Sequence, residues 1–130
     1  MDPARLKKIP VFADLSDEEL DHIAALAAEV SVPESKELVR EGDYSYDVLA
    51  IEEGTARVER AGETIAELGP GDVVGEMGVL KREQRNATVI ATSPALLVTL
   101  TSWDIRRLQK TVPNAVAHLR EVVAQRSDQA

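Results

Sequence analysis

Apolar residues recur at helical spacing near both ends of the chain and at every second position through its middle. In the first flank Leu20, Ile23, Ala24 and Ala27 share one side of a helix, while Asp17, Glu18, Asp21 and His22 point elsewhere as a solvated face. Ser16 precedes this run as an N-cap, Glu19 closes a capping box three residues later, and Leu15 and Leu20 are spaced as a hydrophobic staple. A helix therefore starts at Ser16, and helices are expected over about 3–30.

From about 35 to 101 the period changes to two. Ala56 and Val58 alternate with Arg57 and Glu59, the stretch Arg60-Ala61-Gly62-Glu63 supplies a turn, and the chain returns over 64–68, which predicts a hairpin. Gly69-Pro70-Gly71-Asp72 is a strong turn, and Ala87, Val89 and Ala91 line one face of a later strand opposite Thr88, Ile90 and Thr92. Helical character returns over 102–126, with Pro113 near the start of a second segment, where its missing amide is not needed. Val112, Val116, Leu119, Val122 and Val123 form an apolar stripe there, and Trp103 reads as a packing residue at the helix start.

All seven glycines fall between Gly42 and Gly78, within the alternating region. Together these patterns predict one α+β domain over 1–130, mainly β: an antiparallel jelly roll or β-barrel over about 35–101, flanked by N-terminal and C-terminal helices.

Charge and composition narrow the function. Fifteen basic against twenty-three acidic residues give a net charge of −8, which disfavours nucleic acid and anionic membranes as partners. Aromatic residues make up 3% of the chain, too few for a base-stacking platform. With no cysteine there are no disulfides, thiolate metal sites or cysteine nucleophile, and a cytoplasmic setting is expected. No apolar run is long enough to span a bilayer. The two histidines, His22 and His118, sit on helices at opposite ends, unlike the clustered strand ligands of a jelly-roll metalloenzyme, and no serine has an evident histidine base. No catalytic residue and no metal ligand is assigned, so the chain is not expected to be an enzyme.

The chemistry concentrates in Gly69-Pro70-Gly71-Asp72-Val73-Val74-Gly75-Glu76-Met77-Gly78-Val79-Leu80 and, after a charged loop, Arg85-Asn86-Ala87-Thr88-Val89. The glycines let backbone approach a ligand, and a short helix over 76–80 would aim free amides at one anion. Arg85, expected to open the next strand, carries a planar fork suited to two phosphate oxygens, and Glu76 is suited to accept from a sugar hydroxyl. A ribose phosphate satisfies both groups at once.

These residues resemble the phosphate-binding cassette of the cyclic nucleotide-binding domain family, whose pattern is roughly Gly-Glu-Leu-Ala-Leu, a variable loop, then Pro-Arg-Ala-Ala-Thr-Val. Here it reads Gly75-Glu76-Met77-Gly78-Val79 and Gln84-Arg85-Asn86-Ala87-Thr88-Val89. Arg40-Glu41-Gly42-Asp43 and Ile51-Glu52-Glu53-Gly54 are similar too, so the likeness extends over nearly the whole chain. The resemblance implies that Glu76 binds the ribose 2′-hydroxyl, that Arg85 binds the exocyclic phosphate oxygens, and that amides near Gly75, Met77, Gly78 and Asn86 complete the cradle. Ala87 belongs to the same site, and Val73, Val74 and Val89 would form its wall. Cyclic AMP is the expected ligand, with cyclic GMP as the alternative because Asn86 stands where cyclic AMP binders carry a small residue and cyclic GMP binders commonly carry Thr; no other cofactor is expected. Gln84 stands where the family usually has proline.

The implied role is a regulatory domain in which the C-terminal helix acts as switch and lid, read by an effector domain or partner protein; a homodimer is compatible with it. A Glu76 to Arg85 ion pair in a ligand-free interaction module is the alternative, as is the sensory half of a Crp/Fnr-type transcription regulator. Family members without nucleotide often lose one of those two residues, and this chain keeps both.

Overall fold

A computed structural model describes residues 1–43, 47–74 and 85–126, the last four of these by backbone alone. The chain opens with helix α1 (Pro3–Lys7), a 3-10 turn (Pro10–Phe12) and helix α2 (Asp17–Leu26). Eight strands follow: β1 (Ala28–Val32), β2 (Glu37–Val39), β3 (Val48–Glu53), β4 (Ala56–Arg60), β5 (Glu63–Leu68), β6 (Val73–Val74), β7 (Thr88–Ala91) and β8 (Ala95–Leu100). Helices α3 (Ser102–Thr111) and α4 (Pro113–Arg126) close the described chain.

The strands form two four-stranded sheets, ordered β1-β8-β3-β6 and β2-β7-β4-β5, with every pairing antiparallel. Their arrangement, with helices at both ends, is the antiparallel jelly roll predicted from the alternating pattern.

The two sheets differ in how they are covered. Along β4 the buried Ala56 and Val58 alternate with half-buried Arg57 and Glu59, so this sheet packs on one face. Along β3, by contrast, Val48, Leu49, Ala50 and Ile51 are all buried. Leu49 and Ile51 belong to the core between the sheets, with Val58, Val74, Val89 and Leu97. Val48 and Ala50 belong to a second core with Phe12, Leu20, Ile23, Leu108 and Leu119, supplied by the helices. The first sheet is therefore covered on both faces, which explains its continuous apolar run.

Local chemistry sets the element ends. Ser16 Oγ accepts from the Glu19 N–H while Glu19 Oε1 accepts from the Ser16 N–H, and Thr101 and Asp104 repeat the same box at α3. Pro113 begins α4, as its φ preference and missing donor allow.

Two expectations are corrected. The roll begins at Ala28, not near 35, because Ala28-Glu29-Val30-Ser31-Val32 pairs residue by residue with β8 as an edge strand. Four of its five residues are exposed, so it lacks the buried alternation that marks a strand, and its start at Ala28 reads as the helix tail. Trp103 is 70% exposed, its ring stacked under the Arg106 guanidinium at 5.1 Å, while the buried positions of α3 are Ile105 and Leu108. The helix enters with position 103 on its outer side, and a cation-π contact one turn later takes the place of core packing.

Candidate functional site

The candidate site gathers where the connection after β2 meets the chain entering β7. Its floor comes from alternation: Ala87, Val89 and Ala91 point into the core between the sheets, where Val74 of β6 joins them. Val73 points the opposite way, into the helical core with Phe12, and is not a wall residue of the site. The two valines of β6 are consecutive in an extended chain, so only one of them faces each side.

Arg85 lies three residues before β7 rather than at its first position. Backbone bonds nevertheless hold it as firmly as a ladder would: the Gly42 N–H donates to Arg85 O at 2.8 Å and the Arg85 N–H donates to Asp43 O at 2.7 Å. Gly42 has φ +89, a left-handed turn for which glycine is suited, and this brings the two carbonyl and amide groups to Arg85. The half-buried guanidinium donates through Nη2 to the carbonyl of Asp47 at 2.6 Å. Partial burial pulls its pKa below the ordinary arginine value, and the nearby Asp47 charge opposes that shift. A guanidinium stays protonated under such a shift, so the site holds a fixed, partly desolvated cation in a chain of net charge −8.

Around Arg85 the neighbouring strands are laced together. Arg60 Nε, at the end of β4, donates to Asn86 O at 3.0 Å. Glu41 Oε1 accepts from the Ala61 N–H at 3.0 Å, and the Glu41 N–H donates to Thr88 Oγ1 at 2.9 Å. Asn86 is exposed and Ala87 is buried.

The turn leading to the site is built as predicted, with Gly69 N–H donating to Asp72 Oδ2 at 2.7 Å and Gly71 at φ +91. Of the predicted ligand residues, Arg85, Asn86 and Ala87 follow one another into β7, and Val74 shares the core between the sheets with Ala87. Gly75, Glu76, Met77 and Gly78, with the expected helix over 76–80 and Gln84, lie outside the described residues. Sequence reasoning missed the carbonyl of Asp47, and it missed Glu41 and Arg60 as supports. Arg40-Glu41-Gly42-Asp43 was the signal for Glu41; a backbone carbonyl carries no signature at all.

Among the described residues no group of His, Asp and Glu side chains is arranged to hold a metal ion, and no helix is long and apolar enough to cross a membrane. The described part of the site presents a partly desolvated cation beside hydrogen-bonded backbone, next to the apolar core between the sheets.

The comparisons agree with this geometry. A model of the cyclic nucleotide-binding domain matches residues 29–111, which run from the second residue of β1 to the end of α3 and include the whole candidate site. The chain belongs to the cyclic nucleotide-binding domain family. It is 28% identical over 130 residues to the cyclic AMP receptor protein of Thermus thermophilus, covering 96% of this chain and 60% of that protein. It is 33% identical over 119 residues to the cAMP-dependent protein kinase regulatory subunit of Yarrowia lipolytica, covering 89% of this chain and 31% of that one. A solved structure from Geobacter metallireducens superposes with a TM-score of 0.83 over 97% of this chain and 95% of that chain; at 24% identity it speaks to the fold alone. The chain thus spans 60% and 31% of the length of those two curated relatives. Cyclic nucleotide-binding domains are regulatory rather than enzymatic, in agreement with the absence of any assigned catalytic residue in the sequence reading.

Proposed function

We propose that this cyclic nucleotide-binding domain takes cyclic AMP, with its exocyclic phosphate on Arg85 and the surrounding backbone amides and its ribose 2′-hydroxyl on Glu76. The observation that carries the reading is the placement of Arg85: a partly buried guanidinium, fixed at its backbone by Gly42 and Asp43 and bonded at its head to the carbonyl of Asp47. A guanidinium carries five N–H donors in a planar fork, the geometry that suits two phosphate oxygens. The apolar floor of Val74, Ala87 and Val89 suits the sugar and base edges. The names of the relatives from Thermus thermophilus and Yarrowia lipolytica favour cyclic AMP over cyclic GMP.

The output is a change in α4. Val112, Val116 and Leu119 are buried in the helical core with Phe12, Ile105 and Leu108, and Val122 packs against its edge; the side chain of Val123 lies outside the described residues. This packed position is one end of a two-state equilibrium, and a position nearer the base is the other. A nucleotide that binds the second more tightly shifts the population by that difference in affinity. An effector domain or partner protein reads the change.

Isothermal titration with cyclic AMP and cyclic GMP in parallel tests the reading. Saturable heat with cyclic AMP, weaker with cyclic GMP, is the expected result; no heat with either would leave a ligand-free interaction module as the function.

A further inference from the structure

Arg60 is the last residue of β4, exposed at the surface, and among the described residues it forms no ion pair. Its Nε instead donates to the carbonyl oxygen of Asn86, a residue 26 positions away in the chain, at 3.0 Å. A charged donor on a neutral carbonyl makes a stronger bond than an amide does. It acts next to Arg85, on the peptide that carries the chain from that cation into β7.

We propose that Arg60 is a positioning residue of the nucleotide site, acting through the main chain at Asn86. The peptide unit is planar, so a fixed Asn86 carbonyl also fixes the orientation of the Ala87 amide and limits the directions open to the Asn86 side chain. Arg60 is itself braced. It precedes a turn in which Ala61 adopts φ +53, an unfavourable conformation for a residue with a Cβ, and Glu41 Oε1 holds that turn by accepting the Ala61 N–H. Glu41 also donates its own N–H to Thr88 Oγ1, two residues beyond Asn86. Arg60 at the end of β4 and Glu41 in the connection after β2, both exposed, thereby hold the chain from Asn86 to the first residue of β7 at two points.

The role rests on the nucleotide reading above, and two measurements on the full chain separate the two. In the ligand-free protein, R60A is expected to raise hydrogen exchange at the amides of 86–88 several-fold, leaving the β1 and β8 pairing untouched, and R60K, which keeps a charged donor, restores most of the protection. In titrations, R60A is expected to bind cyclic AMP on the order of tenfold more weakly and to change the ratio of cyclic AMP to cyclic GMP affinity, with R60K near the unmutated protein. Because loss of surface charge alone would weaken both nucleotides equally, a shifted ratio marks positioning. Unchanged exchange at 86–88, or R60A binding both nucleotides as the unmutated protein does, overturns the role of Arg60 alone. Absence of binding by the unmutated protein overturns the nucleotide reading, and this role with it.

Discussion

The guanidinium of Arg85 donates through Nη2 to the backbone carbonyl of Asp47 at 2.6 Å, across 38 residues of sequence. The principal cation of the site is thus held by main chain, which no side-chain substitution at position 47 deletes. Its two backbone bonds, to Gly42 and Asp43, come from the same connection. The segment between β2 and β3 therefore sets where the cation stands, and binding depends on that connection as much as on Arg85 itself.

Replacing Arg85 by alanine leaves a bound phosphate without its charge partner. Cyclic AMP affinity is expected to fall by about two to three decades, or ~3–4 kcal/mol, with the melting temperature of the ligand-free protein little changed. Calorimetry giving equal affinity for the mutant and the parent would remove Arg85 from the site.

With Glu76 proposed to hold the ribose, the sugar hydroxyl and the carboxylate should be worth the same bond. Glu76→Ala and a 2′-deoxy analogue are each expected to weaken binding, by less than Arg85→Ala does, and the mutant, with no acceptor left for the hydroxyl, should no longer distinguish the deoxy analogue from the parent nucleotide. Additive losses in that cycle would show that the two groups do not meet.

Gly54 joins β3 to β4 at φ +98, and a Cβ added there would stand 2.6 Å from the carbonyl oxygen of Pro94 and 2.8 Å from Ala95. Backbone cannot yield as a flexible side chain does, so Gly54→Ala combines a left-handed penalty with a steric clash. A loss of about 2–4 kcal/mol is expected, seen as a drop in melting temperature on the order of 10 °C. A melting temperature within a degree or two of the parent would contradict this packing of the turn.

Trp103 is the sole tryptophan and stands in solvent. Trp103→Ala should cost less than about 1 kcal/mol, little more than its contact with Arg106. The fluorescence of the folded protein should already be that of a solvated indole and shift little on unfolding. A blue-shifted native spectrum would place the ring in a packed environment instead.

Much of this architecture was legible in the sequence because its signals are local. The capping box of Ser16 and Glu19, the Gly69 to Asp72 turn and the alternation of Ala87, Val89 and Ala91 each follow from chemistry within a few residues, and the structure has all three. The edge strand β1 escaped because exposed residues carry no period, and only its pairing with β8, some 65 residues on, makes it a strand. Trp103 misled for a related reason: a large ring argues for burial unless the helix phase, fixed by Ile105 and Leu108, turns it outward. At the site, Arg85 stood out by its residue type and spacing. The bonds that aim it, to Asp47, Gly42 and Asp43, and the bond from Arg60 to Asn86 use backbone atoms far apart in sequence, and no residue pattern announces them.

Strand β6 consists of Val73 and Val74 alone, and these neighbours serve different cores. One side chain leans on Phe12 in the helical layer; the next lines the interior of the roll below Ala87 and Val89. A single peptide bond is consequently the whole covalent distance between the two layers at this point. A substitution at either valine therefore disturbs a contact next door to the other layer, so the helices and the roll are joined here through two side chains of one dipeptide.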